Sequence, residues 1–236
     1  MTTCRARRRP STGRRRTPRS SSARSPVSWS TSSGTSPRRT TASGPATGVV
    51  GTHVPETWRL DGYAELRFDN LRAILTAPLH QREIFYDEQN AFARVLGRST
   101  APGGGRWWTT GHDDTVGHRV TLLLRRRRGI RRSTFQQFVY KRLAPALLTA
   151  GAQDLRAYTF LPWSRLVNTT VGVAHDNPIN RRYHALVTFG LDNRADVDTL
   201  LAAPQLANVI ADQHTVLTAA HAFGIERSVP VVRTDL

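Results

Sequence analysis

The sequence predicts an α+β protein whose folded part consists of β-α-β-β-α-β units. Two observations lead to this prediction. From about residue 120 onward, apolar runs of strand length alternate with amphipathic helical segments in that order. The closing half of this region also has a partner earlier in the chain, between residues 57 and 105, which indicates an internal repeat.

The complete copy begins with the apolar run at residues 120–125, which has the length of a strand. Ser133 can cap a helix with apolar residues at helical spacing, and Gly151 is suited to end it. The remaining elements are predicted to be a strand, a strand, a helical region and a strand, at residues 154–161, 183–191, 195–223 and 225–232. This order is that of the ferredoxin-like split unit.

The repeat consists of residues 63–78 (YAELRFDNLRAILTAP) and 184–204 (HALVTFGLDNRADVDTLLAAP). Both contain Ala-x-(Leu/Val)-x-Phe, then Asp-Asn, then an apolar stretch that ends in Ala-Pro. The earlier copy has no readable front half. The predicted organisation is therefore a disordered tail, a partial first unit, a linker and a complete second unit, at residues 1–56, 57–105, 106–118 and 119–236.

The basic charge is concentrated in the tail. Of the formal net charge of +17, residues 1–50 carry +11 in arginines with no acid, and only one lysine, Lys141, occurs in the whole chain. This arginine preference is typical of a GC-rich coding sequence. The tail contains too few large apolar residues to fold. Three interpretations stay open: a reading-frame or start-site artefact, an inert tail, and an arginine-rich arm that binds nucleic acid.

Composition also excludes several classes of protein. Cys4 is the only cysteine, so a disulfide framework and a thiolate metal site are excluded. No run approaches 18 consecutive apolar residues, which excludes a membrane-spanning helix. No phosphate loop, nucleophile elbow or cysteine–histidine pair is present. We expect a cytoplasmic protein without a cofactor and without a membrane partner.

The second copy resembles the EthD-like family of the dimeric α+β barrel superfamily. The resemblance rests on VTLLLRRRRGI (120–130), STFQQFVYKRLAPALL (133–148) and the closing half of the unit. It implies that two ferredoxin-like sheets pack face to face, here as an intramolecular pseudo-dimeric α+β barrel or in a homodimer. The family commonly has His-x-Pro near the end of the first helix. This chain has Leu143-Ala144-Pro145, so no catalytic role carries over to that position.

Strand alternation divides the matched strand of each copy into two faces. The face predicted to point into the barrel carries Tyr63, Glu65 and Arg67 in the first copy, and His184 and Thr188 in the second. His184 and Glu65 are the candidates for proton transfer, because an imidazole and a carboxylate in one pocket can exchange a proton. Tyr63, Arg67 and Thr188 would line the pocket. The alternative to a pocket is that these are ordinary polar residues on a solvated face of the sheet.

Tyr158 and Arg156 on the second strand fall on the same side, and Tyr158 completes the predicted ligand pocket. The segment that contains His112, Asp113, Asp114 and His118 could hold a metal ion, but an exposed linker explains it at least as well, and no metal is predicted.

The resemblance implies a small, largely apolar or aromatic ligand, in aromatic or polyketide-type metabolism. Whether the protein is an enzyme is left open; a catalytic version would act by cofactor-free proton transfer or dehydration. The competing hypothesis is a non-catalytic nucleic-acid-binding protein that uses residues 1–50.

Overall fold

The computed structural model of the chain describes residues 27–30, 50–66, 92–108, 116–164, 172–228 and 230–233. The strands in chain order are β1 (Val27–Ser30), β2 (Thr100–Trp107), β3 (His118–Arg126), β4 (Gln153–Phe160), β5 (Ala185–Leu191), β6 (Leu217–Ile225) and β7 (Pro230–Arg233). Five of them form an antiparallel sheet in the order β2-β4-β5-β3-β6, and β1 pairs with β7 separately. Together with the helices, this sheet confirms the predicted α+β class.

The first helical region joins β3 to β4. It consists of α1 (Arg132–Gln137), a π-helical segment (Phe138–Leu143) and α2 (Ala144–Thr149). Pro145 has no N–H to donate and its ring crowds the carbonyl one turn earlier, which gives a physical reason for the wider π turns before it. Gly151 follows with φ +104°, a conformation that favours glycine, and ends the helix as predicted.

The second helical region joins β5 to β6. It consists of α3 (Asp196–Leu201), α4 (Pro204–Asp212) and a 3-10 turn (Gln213–Thr215). Both helical regions cover one face of the sheet. The core lies between the helices and the sheet. It is formed by alternate strand residues and by the apolar side of the helices, among them Val120, Leu124, Leu155, Val187, Phe189, Phe135, Val139, Leu147 and Leu206.

The predicted end of the unit was wrong. Residues 217–223 were assigned to a helix, but they form most of β6, which pairs with β3 along its length. The alanines in LTAAHAFGI favour a helix locally. Leu217, Ala219 and His221 are buried, however, while the residues between them are less so, and this period of two suits a strand. Pairing with β3 therefore overrides local propensity.

The last predicted strand, at residues 225–232, also differs from the structure. Ile225 closes β6, whereas β7 pairs with β1 and not with the five-stranded sheet. β1 lies inside the segment that was predicted to be disordered. The rest of residues 1–49, including most of the basic arm proposed to bind nucleic acid, lies outside the described residues.

The first copy of the repeat is described only in part. Residues 62–66 form no regular secondary structure, so the strand predicted to start at Tyr63 is not present there, and residues 67–91 lie outside the described part of the chain. Residues 92–99 lead into β2, an edge strand next to β4. Within the described residues, no helix is both long enough and apolar enough to cross a membrane.

Tyr140 connects the first helical region to the edge of the sheet. Its hydroxyl donates to the Gly104 carbonyl at 2.5 Å and accepts from the Thr159 amide at 3.1 Å. We expect Tyr140→Phe to lower the free energy of unfolding by about 1–3 kcal/mol, because both backbone groups lose a partner in a buried place. Urea denaturation measures this effect.

Thr149→Ala is the control for this substitution, because the Thr149 hydroxyl bonds to Pro145 on the exposed helix surface. Thr149→Ala should lower the free energy of unfolding by less than about 0.5 kcal/mol. Equal losses for the two variants would contradict a role of Tyr140 in holding β2.

Candidate functional site

The face of the sheet that points away from the helices carries polar side chains, and we call it the second face. Strand register places Arg119 and Thr121 of β3, Asp154, Arg156 and Tyr158 of β4, Thr188 of β5 and His221 of β6 on it. All of these except Tyr158 are less than 9% exposed. Buried polar groups need partners, so something must cover this face.

Residues 50–66 provide part of the cover. At one end Gly51 forms a parallel bridge to Ala219, with Gly51 N donating to Thr218 O and Ala220 N to Gly51 O, each at 2.9 Å. A 3-10 turn (Glu56–Trp58) follows. The segment then runs on to Tyr63 and Glu65, whose side chains reach the second face. We refer to residues 50–66 as the covering segment.

Tyr63 bonds to two threonines in the middle of the sheet. The Thr121 hydroxyl lies 3.2 Å from both the Tyr63 hydroxyl and the Thr188 hydroxyl, and Tyr63 lies 3.5 Å from Thr188. Burial raises the pKa of Tyr63, with the two threonine hydrogen bonds acting in the opposite direction. Tyr63 is therefore a neutral phenol that pins the covering segment to β3 and β5.

A buried charge network lies beside this group. Asp154 accepts from Arg156 at 2.6 Å and from Arg119 at 2.7 Å, and its side chain is fully buried. Asp154 has φ +37°, and the register of β4 shifts between Gln153 and Arg156. A bulge of this kind changes the direction in which a side chain is aimed, and here Asp154 stays on the same face as Arg156 and Tyr158. Here it directs one carboxylate at two guanidinium groups.

Glu65 joins the covering segment to this network. Its carboxylate accepts from the Tyr158 hydroxyl at 2.5 Å and lies 3.5 Å from Nη1 of Arg156. The Glu65 side chain is 10% exposed. Burial would lower the pKa of Arg156, but the hydrogen bond to Asp154 and the charges of Glu65 and Asp154 raise it. Arg156 is a permanent cation at this site.

Four of the six predicted site residues thus meet on the second face: Tyr63, Glu65, Tyr158 and Thr188. Arg156 joins them, as alternation predicted, and its guanidinium also stacks over Trp107 at 4.5 Å. Arg67 lies outside the described residues.

The structure does not bring His184 to Glu65. The His184 ring packs edge-on against Phe135 of α1, and its Nδ1 accepts from the Arg126 amide at 3.2 Å. Burial, followed by the charges of Arg126, Arg98, Arg125 and Arg182, lowers the pKa of His184 to about 4. The imidazole is therefore neutral at neutral pH, with its proton on Nε2, and Nδ1 is already occupied.

An aromatic cluster at the other end of the covering segment was missed from the sequence. Trp58 lies 5.7 Å from His221 and 4.6 Å from the Arg125 guanidinium, and the Tyr183 hydroxyl lies 2.5 Å from Nδ1 of His221. Burial raises the pKa of Tyr183 to about 12, and burial together with Arg125 lowers that of His221 to about 4. His221 was hidden because its segment was assigned to a helix.

A small cavity of about 50 Å³ lies where the covering segment crosses β3 and β6. It is lined by Leu60, Asp61, Gly62, Tyr63, Thr121, Phe223, Gly224, Ile225 and Glu226. Ligand pockets usually measure about 300–1,000 Å³. This cavity is much smaller than that, and its polar wall is the Tyr63–Thr121 pair.

No group of three or more His, Cys, Asp or Glu side chains in the described residues could hold a metal ion. His112, Asp113 and Asp114 lie outside that part of the chain. Comparison with protein-family models and with curated proteins gives no match for this chain.

Asp154 offers the sharpest test of the buried network. Asp154→Asn retains the shape and the tolerance for positive φ but removes the charge, leaving Arg119 and Arg156 buried with less compensation. We expect the free energy of unfolding to fall by about 3–5 kcal/mol in urea denaturation.

Asp212→Asn is the matched control, because Asp212 pairs with Arg142 at 2.6 Å on the exposed surface. The free energy of unfolding of Asp212→Asn should fall by less than about 1 kcal/mol. A similar loss for both variants would contradict the importance of burial at Asp154.

His221 makes stability depend on pH. Its folded pKa of about 4 lies below the unfolded value of about 6.5, so the unfolded chain binds the proton first. The neutral His221 ring therefore contributes on the order of 3 kcal/mol to the free energy of unfolding. This contribution is complete above pH 6.5 and is lost as the pH falls toward 4. Urea denaturation across this range should show a smaller decline for His221→Gln. An NMR titration in which the folded His221 ring protonates near pH 6.5 would contradict the assignment.

Proposed function

We propose that this chain binds a small, largely apolar molecule between the covering segment and the second face, and that Glu65 transfers a proton to or from it. The observation that carries the proposal is the placement of Glu65. Its carboxylate is nearly buried, bonded to the Tyr158 hydroxyl and paired with Arg156. A carboxylate within hydrogen-bond reach of a phenol can exchange a proton with it, and such reach is the geometric requirement for acid–base chemistry.

Each group has a defined part in such a reaction. The Glu65 carboxylate accepts a proton from an acidic carbon of the ligand. The protonated carboxyl group then donates to the Tyr158 oxygen, which frees the phenol O–H to donate to the developing oxyanion. Arg156 is held on Asp154 and supplies fixed positive charge. The protonated Glu65 then gives its proton to a second carbon of the ligand, which completes an isomerisation, or to a departing hydroxyl group, which leaves as water. Neither route needs a cofactor.

The cavity and the apolar residues near it support the ligand class. Leu60, Phe223 and Ile225 give it apolar walls, whereas Tyr63 and Thr121 offer hydroxyl groups at one side. Tyr63 lies two residues from Glu65, so a ligand anchored in the cavity extends along the covering segment toward the carboxylate. Because the cavity is small, the rest of the ligand must lie toward solvent or against a further part of the protein.

The resemblance to EthD-like proteins supports the same proposal. The complete unit has the β-α-β-β-α-β order, with β4-β5-β3-β6 as neighbours. In such proteins a second sheet faces the first one. We propose that the second sheet of the barrel comes from the earlier copy of the repeat in the same chain or from a second copy of the chain.

A thermal-shift screen of the full chain against aromatic and polyketide-like compounds tests ligand binding. A compound present at 100 times its dissociation constant should stabilise the protein by about 2.7 kcal/mol. Thr121→Val removes the hydroxyl from the cavity wall and should weaken that binding, whereas Thr218→Val on β6 serves as a matched control. A screen in which no compound raises the midpoint would contradict the proposal.

Glu65→Gln tests proton transfer directly. Exchange of deuterium from solvent into the bound compound, followed by NMR, should slow by about 10²–10⁴-fold, because the amide cannot accept the proton. The dissociation constant should change less than tenfold. Glu56→Gln is the control, since Glu56 is exposed and pairs only loosely with Arg59 at 3.8 Å. Unchanged exchange in Glu65→Gln would refute the role of this carboxylate.

A further inference from the structure

A group of arginines surrounds His184 at the end of β3 and the start of β5. Arg125 and Arg126 close β3, and Arg98 and Arg182 approach from the segments before β2 and β5. Each is partly buried and keeps some exposure to solvent. The charges of all four act on the His184 imidazole. We call these four residues with His184 the arginine cluster.

Two of the arginines are held in place by one buried residue, Asn177. Asn177 is 3% exposed. Nε of Arg182 donates to its backbone carbonyl at 2.8 Å. The Arg98 guanidinium lies against the Asn177 side-chain amide and donates to the amide oxygen at 3.0 Å when the oxygen and nitrogen of that amide are exchanged. The Arg182 guanidinium also stacks over the Trp163 ring at 4.7 Å. The positions of Arg98 and Arg182 are therefore fixed by contacts with neutral groups.

No carboxylate compensates these charges within the described residues. The ion pairs there involve Arg59, Arg119, Arg142 and Arg156, and none involves a member of the arginine cluster. Burial, and to a smaller extent the charge of Arg182, lowers the pKa of Arg98 to about 10. The cluster is thus a preassembled concentration of positive charge.

Hydrogen-bond donors also outnumber acceptors at this place. His184 accepts at Nδ1 from the Arg126 amide, so its Nε2 carries the proton and can only donate. Nε1 of Trp163, under Arg182, is buried and has no acceptor within the described residues. Within the described residues these donors have no acceptor, and a bound oxyanion would supply one.

We propose that the arginine cluster is a binding site for the oxyanion of a small molecule, a phosphate or a carboxylate group, with Arg98 and Arg182 as its principal ligands. Guanidinium groups bind these anions through paired hydrogen bonds. The proposal goes beyond the proposed function and does not rest on it, because Glu65 and Tyr158 lie outside the cluster. It also gives His184 a role as a donor to the anion.

Titration of the full-length protein with inorganic phosphate, by calorimetry at ionic strength held constant with sodium chloride, tests the site. We expect saturable binding of one phosphate, weakened at least tenfold in both Arg98→Gln and Arg182→Gln. Arg142→Gln is the matched control, because Arg142 pairs with Asp212 on the exposed surface, and it should bind phosphate as the unmodified chain does. Equal weakening in the control, or no saturable binding, would overturn the proposal.

A second measurement does not depend on the variants being folded. In the unmodified protein, phosphate should shift the His184 ring resonances and raise the pH at which the ring protonates, whereas chloride at equal ionic strength should not. Acetate in place of phosphate separates a carboxylate site from a phosphate site. Glu65→Gln should bind phosphate as the unmodified protein does, because Glu65 lies outside the arginine cluster. Phosphate binding and proton transfer are thus tested separately. Unmoved His184 resonances at saturating phosphate would refute the site.

Discussion

The second face depends on one carboxylate, Asp154, which lies buried between two arginines. Arg119 of β3 and Arg156 of β4 both donate to it, although β5 runs between these strands. The residue of β5 opposite Arg119 is Gly190, which has no side chain to block the connection. Breaking a buried pair of this kind leaves an uncompensated charge, which costs far more than the pair itself contributes. Asp154 is accordingly held in a bulge with positive φ, a conformation that asparagine and aspartate tolerate better than most residues.

This network explains why the two faces of the sheet behave differently. The helix face is filled by apolar side chains that need only to be excluded from water, whereas the second face needs partners for each buried polar group. The covering segment supplies them through Tyr63 and Glu65 and packs Trp58 against His221. A segment without regular structure can meet these requirements because each contact is made by a single side chain. The candidate chemistry is thus located where the cover and the charge network meet.

Strand alternation was sufficient to predict which residues would share the second face, because Tyr158, Arg156 and Thr188 lie inside regular strands. It failed at His184, which lies just before β5 begins at Ala185, so that its ring is free to turn toward Phe135 and Arg126. It also did not single out Asp154, because alternation gives the face on which a residue lies and not its ion-pair partners, and the bulge at this residue is not visible in the sequence. The alanine-rich β6 was assigned to a helix because its strand character comes from pairing with β3, which lies far away in the sequence.

The arginine content can be attributed to coding bias, but such a bias sets the number of arginines and not their positions in the fold. Arg119 and Arg156 are compensated by carboxylates on the second face, and Arg142 by Asp212 on the surface. Arg98 and Arg182 are instead fixed by Asn177 and Trp163, which carry no charge. Mutual repulsion favours moving such side chains into solvent. Their retention beside a neutral, proton-donating His184 is a specific feature of this fold. It separates a cationic end of the sheet from the carboxylate and phenol of the second face.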